Sequence, residues 1–139
     1  MTLEYRMLTQ GDEAVFERVA DEVFDEPIDP ARMAAYLREP GHHMILAIED
    51  GLVVGQAAAV VHRHPDKVTE IYVDEVGVSP AWQRRGIARE LMRRMFDLGR
   101  SLGCEEAWLG TEPDNKPARA LYKGLGGGEV EIVMYEYDL

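Results

Sequence analysis

One stretch constrains the fold of this chain more than any other. An apolar run, Glu70 to Val78, passes through Ser79-Pro80-Ala81-Trp82-Gln83-Arg84-Arg85-Gly86 straight into an amphipathic helix. Ile87, Leu91, Met95, Leu98 and Leu102 form one apolar stripe at helical spacing, and Arg89, Arg93, Arg94 and Arg100 lie off it. Gly103 closes the helix. The first N–H groups of a helix have no intrahelical partner, and the helix dipole makes that end attractive to anions. Gly86 removes a Cβ where a phosphate would be held off, and Arg84 and Arg85 bring positive charge beside it. The segment reads as a pyrophosphate cradle. It has neither the Lys-Ser/Thr ending of a P-loop nor the three-glycine dinucleotide fingerprint.

The rest of the chain alternates in the same way. Tyr5 to Leu8 reads as a strand, and Thr9 to Asp12 offers a cap for a helix with Val15, Phe16, Val19, Ala20 and Val23 at helical spacing. Asp25 to Pro30 breaks that helix, and a second one runs from Ala31 to Arg38 before Pro40-Gly41. Met44–Ile48 and Leu52–Val61 are apolar runs joined by Glu49-Asp50-Gly51, a hairpin signal. In the next strand Asp74 and Glu75 are adjacent. One of them should face a core or a site, unless a bulge intervenes. A short strand Ala107–Gly110, a helix Pro117–Leu125 and a strand Val130–Tyr137 complete the order.

At 139 residues the expectation is one domain. No apolar run approaches the roughly 20 residues of a membrane span, the N-terminus lacks a signal-peptide core, and the single Cys104 suits a reducing cytoplasm. Net charge is −11, yet Ser79–Ser101 carries six arginines against Glu90 and Asp97, leaving −15 on the remainder. A basic island in an acidic chain fits an anionic cofactor in one place and a cationic substrate elsewhere. It argues against nucleic acid, which needs a broad basic surface. His62-Arg63-His64 and His42-His43 suggest metal, but no Cys or carboxylate completes a recognisable ligand spacing, so no metal is expected. Trp82 reads as an aromatic anchor for the loop.

Gln83-Arg84-Arg85-Gly86-Ile87-Ala88 resembles the acetyl-coenzyme A loop of the GNAT N-acetyltransferases, Gln/Arg-x-x-Gly-x-Gly/Ala. Downstream, Asn115-Lys116-Pro117-Ala118-Arg119-Ala120-Leu121-Tyr122-Lys123-Gly124-Leu125-Gly126 resembles the family's Asn-x-x-Ala-x-x-Leu-Tyr-x-x-x-Gly segment. One departure is clear: Gly127 and Gly128 follow where the family usually has an aromatic. The resemblance covers essentially the whole chain. It implies an α/β (α+β) GNAT fold, with a mixed, mostly antiparallel sheet of six to seven strands and helices on both faces.

It also implies roles. Gln83 to Ala88 would hold the pyrophosphate of acetyl-coenzyme A, and the main chain of Val76, Gly77 and Val78 would bind its pantetheine. The Val76 N–H would serve as oxyanion donor. Asn115 would hydrogen-bond the pantetheine arm, Ala118 would let the cofactor approach, and Tyr122 would protonate the departing thiolate. Glu75 is the candidate to hold the incoming amine and take its proton, with Asp74 as competitor.

The local sequence around both motifs looks most like the short aminoglycoside 3-N-acetyltransferases, which act on polycationic antibiotics. Asp25, Glu26, Glu70, Glu75, Glu112, Asp114 and Glu136 are the acidic candidates for such a substrate. The alternatives are a protein N-terminus, a peptide lysine or a polyamine as acceptor, or a non-catalytic acyl-coenzyme A binding module. By analogy with the family, a homodimer paired through the C-terminal strand is expected.

Overall fold

The structure is a computed structural model that describes residues 2–139. Five strands form one sheet in the order β1 (Leu3–Met7), β2 (His42–Glu49), β3 (Leu52–His62), β4 (Glu70–Val78) and β5 (Glu106–Trp108). The first four are antiparallel neighbours, while β5 joins β4 in parallel. A parallel neighbour needs a crossover, and helix α2 (Ile87–Ser101) supplies it. The other helices are α1 (Pro30–Arg38) and α3 (Lys116–Gly124).

Local chemistry explains these elements. Asp29 accepts the N–H groups of Ala31 and Arg32 at 2.9 and 3.1 Å, and Pro30 occupies the first turn of α1. Asp50 and Gly51 both have positive φ (50° and 80°), which is what a tight two-residue hairpin requires. At the end of α2, Gly103 is left-handed. Its N–H reaches the Arg100 carbonyl while Cys104 N–H reaches that of Gly99, so two orphan carbonyls are satisfied.

The sheet is covered on both faces. On one, α2 lays Ile87, Leu91, Met92 and Met95 onto the small residues Ala57 and Ala59 and onto Val54, Ile71 and Val73. Gly55 and Gly99 make the approach close: a Cβ on Gly55 would lie 3.2 Å from the Ile87 side chain, and one on Gly99 3.0 Å from Ile71. Met92 and Gly99 are thus in the seam, whereas Leu98 and Leu102 of the expected stripe lie at its margin, half-buried. On the other face Met33 of α1 and Val23 pack with Leu8, Met44, Leu46, Ile48, Val53 and Ala58.

Two expectations are corrected. The helix expected over Val15–Val23 is only a 3-10 turn, Glu13–Glu17. Beyond it, Ala20 N–H donates to Val53 and Val53 N–H to Arg18, so this backbone pairs with β3 instead of with itself. The expected strand Val130–Tyr137 is unpaired, and the described residues contain five strands, not six or seven. Strand formation needs a neighbouring edge, which alternating apolar residues do not themselves provide. This segment leaves Val130, Ile132, Val133, Met134, Tyr135, Tyr137 and Leu139 exposed. No helix among the described residues is long and apolar enough to cross a membrane.

Candidate active site

The site follows from how β4 ends. It pairs with β5 only through Glu70↔Glu106, Ile71↔Ala107 and Tyr72↔Trp108. Beyond Tyr72 the two strands part, and among the described residues the β5-facing edge of Val73–Val78 has no strand partner. Val76 and Val78 direct their side chains into the core under α2, and the backbone is what they offer to the opening.

Past β4, Ser79 is buried and its N–H bonds Val54 at 2.9 Å. A 3-10 turn, Pro80–Trp82, redirects the chain. The Trp82 indole donates to the Glu49 carboxylate, and Arg85 approaches the same carboxylate at 4.0 Å, so Trp82 does anchor the loop. Arg84 (φ 64°) and Gly86 (φ 78°) are both left-handed, and they turn the chain so that α2 starts at Ile87 without a side-chain cap. Glu90 N–H is the first to bond back, to the Gly86 carbonyl at 3.0 Å. The preceding N–H groups of Ile87, Ala88 and Arg89 are the helix's unpaired ones. Nothing lies within 4 Å of a Cβ built on Gly86, so the mouth of this cradle is open, with the exposed Arg84 and Arg85 beside it.

Gln83 also has a place within the loop itself. Its side-chain amide donates to the Val78 carbonyl at 3.0 Å, so it braces the loop. Asn115 caps α3 through its side-chain oxygen, which accepts Ala118 N–H at 3.2 Å, and only its amide nitrogen remains for another partner. Ala118 is half-buried. Tyr122 packs on the α2 side of the core, and burial pushes its phenol pKa up. It therefore stays protonated at neutral pH, as a proton donor must.

The acidic face lies on the opposite side of the sheet. Ala58 pairs with Glu75 and Ala59 with Val73, leaving Asp74 as the extra residue of a β-bulge. Asp74 is exposed and Glu75 half-buried. Burial raises the Glu75 pKa, Asp25 and Asp74 raise it further by like charge, and the Gln56 amide opposes them. The same two β4 carboxylates act on Tyr36 of α1, whose phenol pKa is pushed up mainly by burial and which donates to the His43 carbonyl at 3.2 Å. The bulge therefore sets both acids toward one face. Of the other acidic candidates, Glu26, Glu112, Asp114 and Glu136 are exposed and none contributes to the field at Glu75. Glu70 is bonded to His64 at the far end of β4.

Gly77 has a packing role as well as its backbone. A Cβ there would stand 2.5 Å from the Val23 carbonyl oxygen. That same oxygen accepts Gln56 Nε2 at 3.2 Å, while the fully buried Gln56 Oε1 has no partner among the described residues. Gln56 was missed in the sequence. Its signal was a lone polar residue in Val53-Val54-Gly55-Gln56-Ala57-Ala58-Ala59. Trp108 was missed too: it stacks on Tyr72 with ring centroids 4.1 Å apart, is 45% exposed, and stands where β4 and β5 part. A separate hollow between α2 and the end of α3, lined by Arg89, Arg93, Arg100 and Gly124, includes none of Glu75, Val76 or Tyr122.

The sheet thus opens beside an uncapped helix N-terminus, with the Glu75 carboxylate on its opposite face. The chain belongs to the acetyltransferase (GNAT) family, whose model matches residues 8–126. It is 35% identical over 105 residues to N-alpha-acetyltransferase RimI of Mycobacterium tuberculosis, covering 75% of this chain and 63% of that protein. It is 28% identical over 95 residues to aminoglycoside N(6′)-acetyltransferase type 1 of Salmonella typhimurium, covering 65% of each. The match therefore spans a little under two thirds of these relatives' own length.

Two crystal structures of aminoglycoside acetyltransferases from uncultured soil metagenomic samples share the fold. One has a TM-score of 0.83 at 24% identity, covering 100% of this chain and 99% of that one. The other, in complex with sisomicin, has a TM-score of 0.82 at 21% identity, covering 99% and 96%. The expected family holds. The expected 3-amino specificity appears in none of these relatives' names, which specify N-alpha or N(6′) transfer where they specify a position.

Proposed function

We propose that this chain transfers the acetyl group of acetyl-coenzyme A to a primary amine of a cationic, ring-bearing small molecule of the aminoglycoside type, by direct attack in a ternary complex. The observation that carries this reading is Glu75: a half-buried carboxylate with a raised pKa, beside Asp25 and Asp74, on the strand that forms the opening. Three acids on one face attract an ammonium group, and the raised pKa makes Glu75 a better proton acceptor than an ordinary carboxylate. The stacked Tyr72–Trp108 pair three residues along β4 presents an apolar surface to a saturated ring.

The cradle fits the cosubstrate by its open Gly86, its unpaired N–H groups and its two arginines. Acetyl-coenzyme A supplies the activated acyl group. Glu75 takes a proton from the incoming ammonium, directly or through water, so that the free amine attacks. The Val76 N–H receives the charge developing on the carbonyl oxygen, and Tyr122 returns a proton to the leaving thiolate. The amine's second proton, shed as the C–S bond breaks, restores Tyr122, and Glu75 releases its proton to solvent, so ammonium and thioester become amide, thiol and one released proton.

The N(6′) name of the Salmonella relative supports the 6′-amine over the 3-amine as the position attacked. A protein N-terminus is the second reading, favoured by the RimI similarity. We also infer that the exposed apolar segment Val130–Leu139 pairs with a second copy to form a homodimer. The test is turnover of sisomicin and kanamycin against alanine-terminated peptides, with the acetylated amine mapped by NMR. Fast drug turnover with one amine modified is expected. Turnover of the peptides alone would select the second reading.

A further inference from the structure

A cluster at the opposite end of β4 from Glu75 has no part in this chemistry. His62 closes β3 directly across from Glu70, the first residue of β4. His64 follows two residues later, and in extended chain positions i and i+2 share a face. Their rings lie with centroids 4.1 Å apart and 37° between planes. His64 Nε2 is 2.5 Å from a Glu70 carboxylate oxygen. One donor atom from each of His62, His64 and Glu70 lies within 4.8 Å of the other two. Sequence spacing alone joins only the two histidines. The hairpin brings in the carboxylate.

We propose that His62, His64 and Glu70 bind a zinc ion that clips the β3–β4 hairpin. Two imidazoles and one carboxylate are a donor set suited to zinc, and three protein ligands leave the fourth tetrahedral position for water. Zinc–nitrogen and zinc–oxygen bonds of about 2.0–2.2 Å put ligand atoms roughly 3.3 Å apart. The His64–Glu70 contact must open slightly and His62 must close in, both by side-chain rotation at a surface where His62 is exposed. Glu106, in register with Glu70 on β5, adds a second carboxylate to the same row. The site lies five residues along β4 from Glu75, about 16 Å, so it acts on the hairpin and not on the transfer step.

The test uses tag-free full-length protein at pH 7.5, titrated calorimetrically with zinc chloride, with cobalt(II) absorption as a second probe. One equivalent should bind with low-micromolar affinity or tighter, and cobalt should give the visible bands of a four-coordinate ion. The melting temperature should rise by several degrees with zinc. His62→Ala and His64→Gln should each weaken binding about tenfold or more, and Gln at 64 keeps a hydrogen-bond donor for Glu70. His43→Gln should bind as the parent does. Absence of one-to-one binding, unchanged affinity in either cluster variant, or equal loss in His43→Gln overturns the proposal and leaves His64–Glu70 as a plain ion pair.

Discussion

Gly77→Ala should damage the protein through a backbone contact. The new Cβ would lie 2.5 Å from Val23 O and 3.3 Å from Val23 C, and both are main-chain atoms that no side-chain rotation can move. Reaching ordinary contact at 3.4 Å requires the 18–25 segment to shift by about 0.9 Å. Overpacking of this kind costs about 1–3 kcal/mol. The shift also pulls Val23 O from Gln56 Nε2, a buried hydrogen bond whose loss leaves the amide unpaired for a further 1–3 kcal/mol or so. At roughly 3 °C per kcal/mol for a chain of this size, the melting temperature should fall by about 6–18 °C. Asp25 should move with Val23, easing the like-charge pressure on Glu75 and lowering its pKa. Differential scanning calorimetry with a pH–rate profile reads both effects. Gly86→Ala is the contrast: open space but φ 78°, costing about 1–2 kcal/mol of strain while the Cβ intrudes on the cradle. A Gly77→Ala protein that melts within about 2 °C of the parent, with an unmoved pH profile, would refute the packing argument.

Glu75→Gln should lower kcat by about 10²–10⁴ with little change in acetyl-coenzyme A affinity, seen by steady-state kinetics and calorimetry. Its raised pKa means the folded state binds that proton more tightly than the unfolded chain. Stability is therefore lost as pH rises from the ordinary carboxylate range through the raised value, and the Gln variant should melt higher than the parent at pH 7. Tyr122→Phe should reduce kcat more than it raises the cosubstrate KM, as a stopped assay of thiol release would show. Arg84→Ala with Arg85→Ala should raise the acetyl-coenzyme A KM, and the effect should shrink in high salt because both side chains are exposed. Trp108→Ala should raise the KM for a ring-bearing acceptor several-fold while leaving that for the cosubstrate unchanged, and equal effects on both would refute the platform role.

What was legible in the sequence is what depends on short-range chemistry. Asp50-Gly51 announced a hairpin, Asp29-Pro30 the start of α1, and Arg84-Arg85-Gly86 the turn into α2, because each is a statement about a few consecutive φ angles and charges. That Asp74 and Glu75 share one face was not legible. It rests on a bulge set by register with Ala58 and Ala59. The backbone hydrogen bonds of Gln83 and Asn115 carry no distinct sequence signal, since side-chain amides in loops and caps commonly spend a bond on their own backbone. Val15–Val23 has helical spacing, but its backbone found partners on β3, so tertiary pairing overrode a local pattern. The roles of Gln56 and Trp108 depend on which strand lies beside which, and neither carries a local signature.

The most direct measurement is thiol release from acetyl-coenzyme A with sisomicin as acceptor, for the parent protein and for Glu75→Gln. Saturable turnover in the parent, lost by about 10² or more in a variant that still binds acetyl-coenzyme A and melts no lower, is the predicted result. Parent and variant turning over alike would contradict the assignment of Glu75 as the acceptor of the amine proton.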